Sequence, residues 1–118
     1  MIAAIHITGT SFKNASGSSR QLYLSKCEPG DPVRLLREPD NAHHPYAVKV
    51  HTSIGQIGYI PRAVARVLTD ADLARAWKID TLLGGTLDKP IIGCIIAPVL
   101  PGLPDDIPGF ASTPTQKA

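Results

Sequence analysis

His43 and His44 stand side by side before Pro45, and imidazole is a common metal ligand. Adjacent residues in an extended segment before a proline point to opposite sides, so only one of the two could serve a given site. That one would need two or three further ligands, and His6, His51 and Cys27 are scattered along the chain. Cys27 and Cys94 lack a C-x-x-C neighbour and any local activating context, and they read as reduced packing residues. Asp70, Asp72, Asp80 and Asp88 form no paired acid/base or metal-binding pattern. The phosphate loop G-x-x-x-x-G-K-[ST] of a nucleotide-driven motor is missing. The chemistry left is that of binding, with no catalytic residue, no metal and no cofactor expected.

The elements that position these residues follow from periodicity and breakers. Residues 2–9 alternate, with Ala3, Ile5 and Ile7 on one face and Ile2, Ala4 and His6 on the other, and read as a first strand. A polar loop over 13–19 leads to Gln21–Ser25, read as a second extended piece carrying Leu22, Tyr23 and Leu24. Glu28-Pro-Gly-Asp-Pro32 is a turn, and Val33–Arg37 a strand with Val33 and Leu35 sharing a face. Glu38–Pro45, with prolines near both ends and Asp-Asn between, is an irregular loop. Ala47–His51 and Gln56–Ile60 make a hairpin around Thr52-Ser-Ile-Gly55.

Pro61 is placed at the first position of a helix whose buried stripe is Val64, Val67 and Leu68, with Arg62 and Arg66 one turn apart on another face. Asp70-Ala-Asp-Leu73 fits either a continuation of that helix or a capped second one. Trp77–Leu83 and Ile91–Ala97 are closing strands, and Trp77 belongs in the core. The expected domain is mainly β, a barrel-like sheet of about six short strands with one or two helices. It spans residues 1–100, and a disordered Pro-rich tail follows over 101–118.

Leu35-Leu-Arg-Glu-Pro-Asp-Asn41, then Ala47-Val-Lys-Val50, then Ile57-Gly-Tyr-Ile-Pro-Arg62, resemble the HIRAN domain. The family pattern is an Arg-Glu-Pro-x-Asn turn, Pro-Tyr-Asp, Ala-Ile-x-Val, and Ile-Gly-Tyr-Ile/Leu-Pro-Arg/Lys before a helix. Most of it is present in order and spacing, and the resemblance covers roughly residues 3 to 97. It implies a small OB-like or SH3-like β-barrel that binds DNA, in the best understood members a single-stranded 3′ end. In larger relatives the domain is fused to SNF2-type helicase and ubiquitin-ligase modules and helps direct them to stalled forks.

By the same resemblance, Tyr59 takes the aromatic position that lies against DNA and Arg62 the basic position that contacts phosphate, while Arg37 and Asn41 belong to the family turn. Where the family has Pro-Tyr-Asp, this chain has Ala42-His43-His44. The family aspartate grips the terminal 3′ hydroxyl. A neutral His44 keeps one donor and one acceptor but loses the charge-assisted bond, and once protonated it attracts a phosphate instead. His43 stacks in place of the family tyrosine. Gln21-Leu22 stand where the best understood relatives carry a basic residue and an aromatic, a role that falls to Tyr23 if the register slips.

Twelve basic against ten acidic residues do not by themselves announce a nucleic-acid binder. Their distribution puts the positive potential on the motif-bearing part: residues 13–78 hold ten basic and six acidic side chains, and residues 79–118 two and four. No apolar run approaches the ~18 residues of a membrane span and nothing at the N-terminus asks for export, so the expected location is cytoplasmic. The leading function is recognition of single-stranded DNA, its ends, or damaged and remodelled DNA. The alternative is a protein-interaction adaptor that recruits a separately encoded helicase or nuclease without DNA affinity of its own. An enzyme is the weakest reading.

Overall fold

A computed structural model describes residues 3–99. Ile2, Leu100 and the Pro-rich tail expected from residue 101 lie outside them. The described chain forms β1 (Ile5–His6), α1 (Arg20–Leu24), β2 (Pro32–Arg37), β3 (Val48–His51), β4 (Gln56–Tyr59), α2 (Arg62–Ala65), α3 (Asp70–Ala74), β5 (Trp77–Leu83) and β6 (Gly93–Pro98). The strands pair antiparallel in the order β1-β6-β5-β2-β3-β4. Period-2 alternation sends Val33 and Leu35 of β2, Val48 and Val50 of β3, Trp77 and Ile79 of β5, and Cys94 and Ile96 of β6 to one interior. The lone tryptophan is in that core, as its sequence context predicts, and its indole N–H donates to the Asp72 carbonyl at 2.8 Å.

The sheet curls until its ends meet. Just past β1, Thr8 exchanges both backbone hydrogen bonds with Tyr59 of β4, at 2.8 and 2.9 Å. The result is an OB-like half-barrel. The tie requires close backbone approach at Gly58, where a Cβ would stand 2.6 Å from the Thr8 carbonyl oxygen.

The helices correct the sequence reading in two places and decide between the alternatives it left open in a third. Gln21–Ser25 is not extended: Ser19 caps α1, its hydroxyl accepting from the Leu22 N–H at 3.1 Å. A strand would put Leu22 and Leu24 on one face, whereas here Leu24 is buried and Leu22 is exposed. Gln21 locks the helix in place by donating to the Thr10 and Ile92 carbonyls and accepting from the Ile92 N–H.

Second, Pro61 is the N-cap of α2 rather than its first residue, and the helix ends after four residues. Val67 therefore lies beyond it and is 63% exposed, and the buried positions are Ala65 and Leu68, with Val64 half-buried. Third, Asp70–Ala74 is a separate helix begun by a capping box, in which Thr69 and Asp72 satisfy each other's backbone N–H at 2.9 and 3.1 Å. The described residues thus hold three short helices instead of one or two.

Both cysteines are unbonded thiols packed into or against the core. Burial pushes Cys94 up to about 12, and burial followed by the Asp31 charge raises Cys27, so neither is poised as a nucleophile. Among the described residues no three His, Cys, Asp or Glu side chains come together to hold a metal, and no helix is long and apolar enough to cross a membrane.

Candidate nucleic-acid interface

A cleft of about 700 Å³ opens where the Thr8–Tyr59 tie closes the half-barrel. One wall is the segment after β1, with Phe12; the loop between β2 and β3 supplies His43, His44 and Tyr46; α2 and its C-cap supply Arg62 and Arg66; Tyr59 and Arg20 also line it. Phe12 and Tyr46 are 68% and 56% exposed, so both rings are open to a stacking partner.

The loop is shaped from within. The Asn41 side-chain oxygen accepts from the backbone N–H groups of His43 and His44, both at 2.9 Å, and its amide donates to Glu38 at 2.8 Å. The two imidazoles are thereby set 6.5 Å apart, tilted by 60°. His44 Nε2 meets an Arg62 guanidinium nitrogen at 2.8 Å.

Tyr59 is held at two points. Its hydroxyl donates to the Glu38 carboxylate at 2.9 and 3.1 Å, and the Arg20 guanidinium sits 5.2 Å from its ring centroid, within cation–π range. Burial, reinforced by the bond to Glu38, raises the Tyr59 phenol above its ordinary range. Burial alone would also raise the Glu38 carboxyl. The Asn41 and Tyr59 donors, with Lys49 and Arg20 nearby, outweigh it and hold Glu38 below the usual carboxylate range. Arg20 is only 7% exposed, and donates to the Asn14 side-chain oxygen at 2.7 Å and the Gly9 carbonyl at 2.8 Å. Gly9 presents that carbonyl from a left-handed backbone, φ 71°.

Of the residues singled out from sequence, Tyr59, Arg62, His43, His44 and Asn41 are brought together around the cleft, though both ends of the Asn41 amide are spent on the loop. Arg37 and Tyr23 are not among its lining. The Arg37 guanidinium donates to the carbonyls of Tyr46, Ala65 and Leu68 at 2.7, 2.9 and 2.7 Å, binding the loop and the end of α2 to β2. Tyr23 packs against the core with its ring directly under Gly55.

Arg37→Ala is accordingly expected to cost about 2–4 kcal/mol of stability, since three charge-assisted bonds to backbone are lost. A thermal melt checks this, and an unchanged Tm would return Arg37 to the surface. Sequence reasoning missed Arg20, Phe12 and Tyr46 as cleft residues and treated Arg66 only as part of a helix face. An aromatic such as Phe12 in a polar loop just after a strand was the available signal; nothing local marks Arg20.

These features define a class: a small OB-like half-barrel whose cleft combines aromatic rings with guanidinium and imidazole groups. The family model described as HIRAN domain matches residues 3–76, and the chain belongs to that family, which is known as a nucleic-acid-binding module and not a catalytic one. The structure is similar to the crystal structure of a protein from Lactobacillus plantarum, with a TM-score of 0.56 at 18% identity, covering 82% of this chain and 91% of that one. It is also similar to the HIRAN domain of human HLTF, with a TM-score of 0.51 at 17% identity, covering 80% of this chain and 72% of that one. At such identities the likeness is one of fold. No curated protein matches the sequence.

Proposed function

We propose that the domain binds single-stranded DNA in this cleft, as exposed at strand ends, 3′ ends included, and at damaged or remodelled sites. The observation that carries the reading is the lining itself: Phe12, His43, Tyr46 and Tyr59 offer flat rings, Arg20, Arg62 and Arg66 offer cations, and no carboxylate is among the lining residues. Bases stack on such rings at about 1–3 kcal/mol each, and guanidinium groups follow the phosphates. The positive excess over residues 13–78 draws the polymer to the same part of the molecule.

The test is fluorescence anisotropy of the purified chain with short labelled single strands and duplexes. If three arginines each neutralise a phosphate, affinity for the single strand should fall about 20-fold between 50 and 200 mM salt. Absence of binding at low salt, or a preference for blunt duplex, would overturn the proposal. The adaptor reading rests on another surface, the β5–β6 turn, where Leu83, Leu87 and Ile91 are exposed and none lines the cleft. It requires that a separately encoded helicase or nuclease be captured equally well by a chain with a mutated cleft.

A further inference from the structure

At the bond between His44 and Arg62 the cleft offers donors and no acceptor. Arginine has only N–H groups, so at 2.8 Å the His44 Nε2 must accept, which puts the imidazole proton on Nδ1. The lone pair of His44 is thus consumed, and what remains of the pair is N–H. Neighbouring acceptors are also engaged: the Asn41 oxygen serves two backbone N–H groups. The Glu38 carboxylate, which does not line the cleft, takes the Tyr59 hydroxyl and the Asn41 amide and lies 3.9 Å from the Lys49 ammonium. A terminal hydroxyl has a proton to donate and finds no partner in this pair. A phosphate monoester has three oxygens that accept, and carries a charge of about −1.5 to −2.

Arg20 makes a second, independent case. It lines the same cleft at 7% exposure, its Nε and one terminal nitrogen are engaged by neutral oxygens, and among the described residues no carboxylate lies within ion-pair distance. Glu38 acts on it only from beyond ion-pair distance, so an anion entering the cleft would give this largely buried guanidinium its first direct anionic partner.

We propose that the cleft selects single strands ending in a phosphate monoester over strands ending in a hydroxyl. The inference rests on the single-strand reading above and names the end group that reading leaves open. A 3′-phosphate and a 5′-phosphate share the chemistry, and the experiment separates them.

The full chain is titrated with one oligonucleotide sequence in four forms: both ends hydroxyl, 3′-phosphate, 5′-phosphate, and the phosphate-bearing form capped as its methyl diester. One phosphorylated form should bind about tenfold tighter than the hydroxyl form, identifying the end, and the diester cap should abolish the gain. Equal, salt-sensitive affinity for all four forms would overturn the end preference and leave the single-strand reading standing. No binding by any form at low salt would overturn both. His44→Asp, with its melting temperature followed to show that the fold is kept, places a carboxylate beside Arg62 and should bring the ratio of affinities for the phosphorylated and hydroxyl forms to about one, whatever its effect on overall affinity. A preference that survives in His44→Asp would remove this pair as its source.

Discussion

Gly58→Val should lower the stability of the domain by about 3 kcal/mol and its Tm by roughly 15 °C. Gly58 is buried in β4, opposite Val50, and a Cβ there would stand 2.6 Å from the Thr8 carbonyl oxygen and 3.2 Å from the Ile7 side chain. The nearer atom is backbone and cannot swing away. That oxygen also accepts from the Tyr59 N–H at 2.9 Å, so moving it breaks the tie that closes the half-barrel. Gly58→Ala should show the same effect at smaller size, because it adds the Cβ without the γ-methyls. Circular dichroism melts of both variants decide the matter, and an unchanged Tm would mean that closure does not depend on this approach.

Tyr59→Ala should weaken single-strand binding by about 1–3 kcal/mol, roughly 5- to 150-fold. The range is that of one lost stacking face, and the upper end is expected because the ring also orients a neighbouring cation. Without it Arg20 loses its π partner at 5.2 Å, whereas the hydroxyl's bond to Glu38 belongs to the stability of the fold. Tyr59→Phe separates the two roles. The ring and its contact with Arg20 remain, so affinity should stay near that of the parent chain, while stability falls by about 1 kcal/mol for the missing bond to Glu38. Anisotropy and thermal melts on the pair of variants give both numbers. Parent-like affinity in Tyr59→Ala would take the ring out of the interface.

How much of this was legible in the sequence depended on length scale. The strands β2 to β5 announce themselves because Val33 and Leu35, Val48 and Val50, and Trp77 and Ile79 alternate with polar neighbours, and prolines and glycines punctuate the turns. α1 was hidden because five residues are too few to show a 3.6 period, and because its capping Ser19 sits in a run of serines where no single one stands out. Val67 was misplaced for a related reason: nothing in Arg62–Leu68 says that the helix stops after four residues.

In the cleft, His43, His44, Tyr59 and Arg62 could be named because they belong to a short linear pattern. Arg20 could not, since its position is set by Gly9, Asn14 and Tyr59, partners that only tertiary structure assembles. Arg37 stood in the same pattern as the true lining residues. Its side chain nonetheless turns to three backbone carbonyls, which a pattern of residue types does not report.

The strand order also governs when the domain can exist at all. β1 is paired to β6, Ile5 opposite Ile96, so the first strand made waits for the last. The stretch that matches the family ends at residue 76, yet Trp77, Ile79, Cys94 and Ile96, all beyond it, are among the most deeply buried side chains. A nascent chain of 76 residues has an apolar face and no strands to cover it. Because β1 pairs with β6, the domain cannot close before β6 has been made, and a fragment cut at the family boundary should stay unfolded.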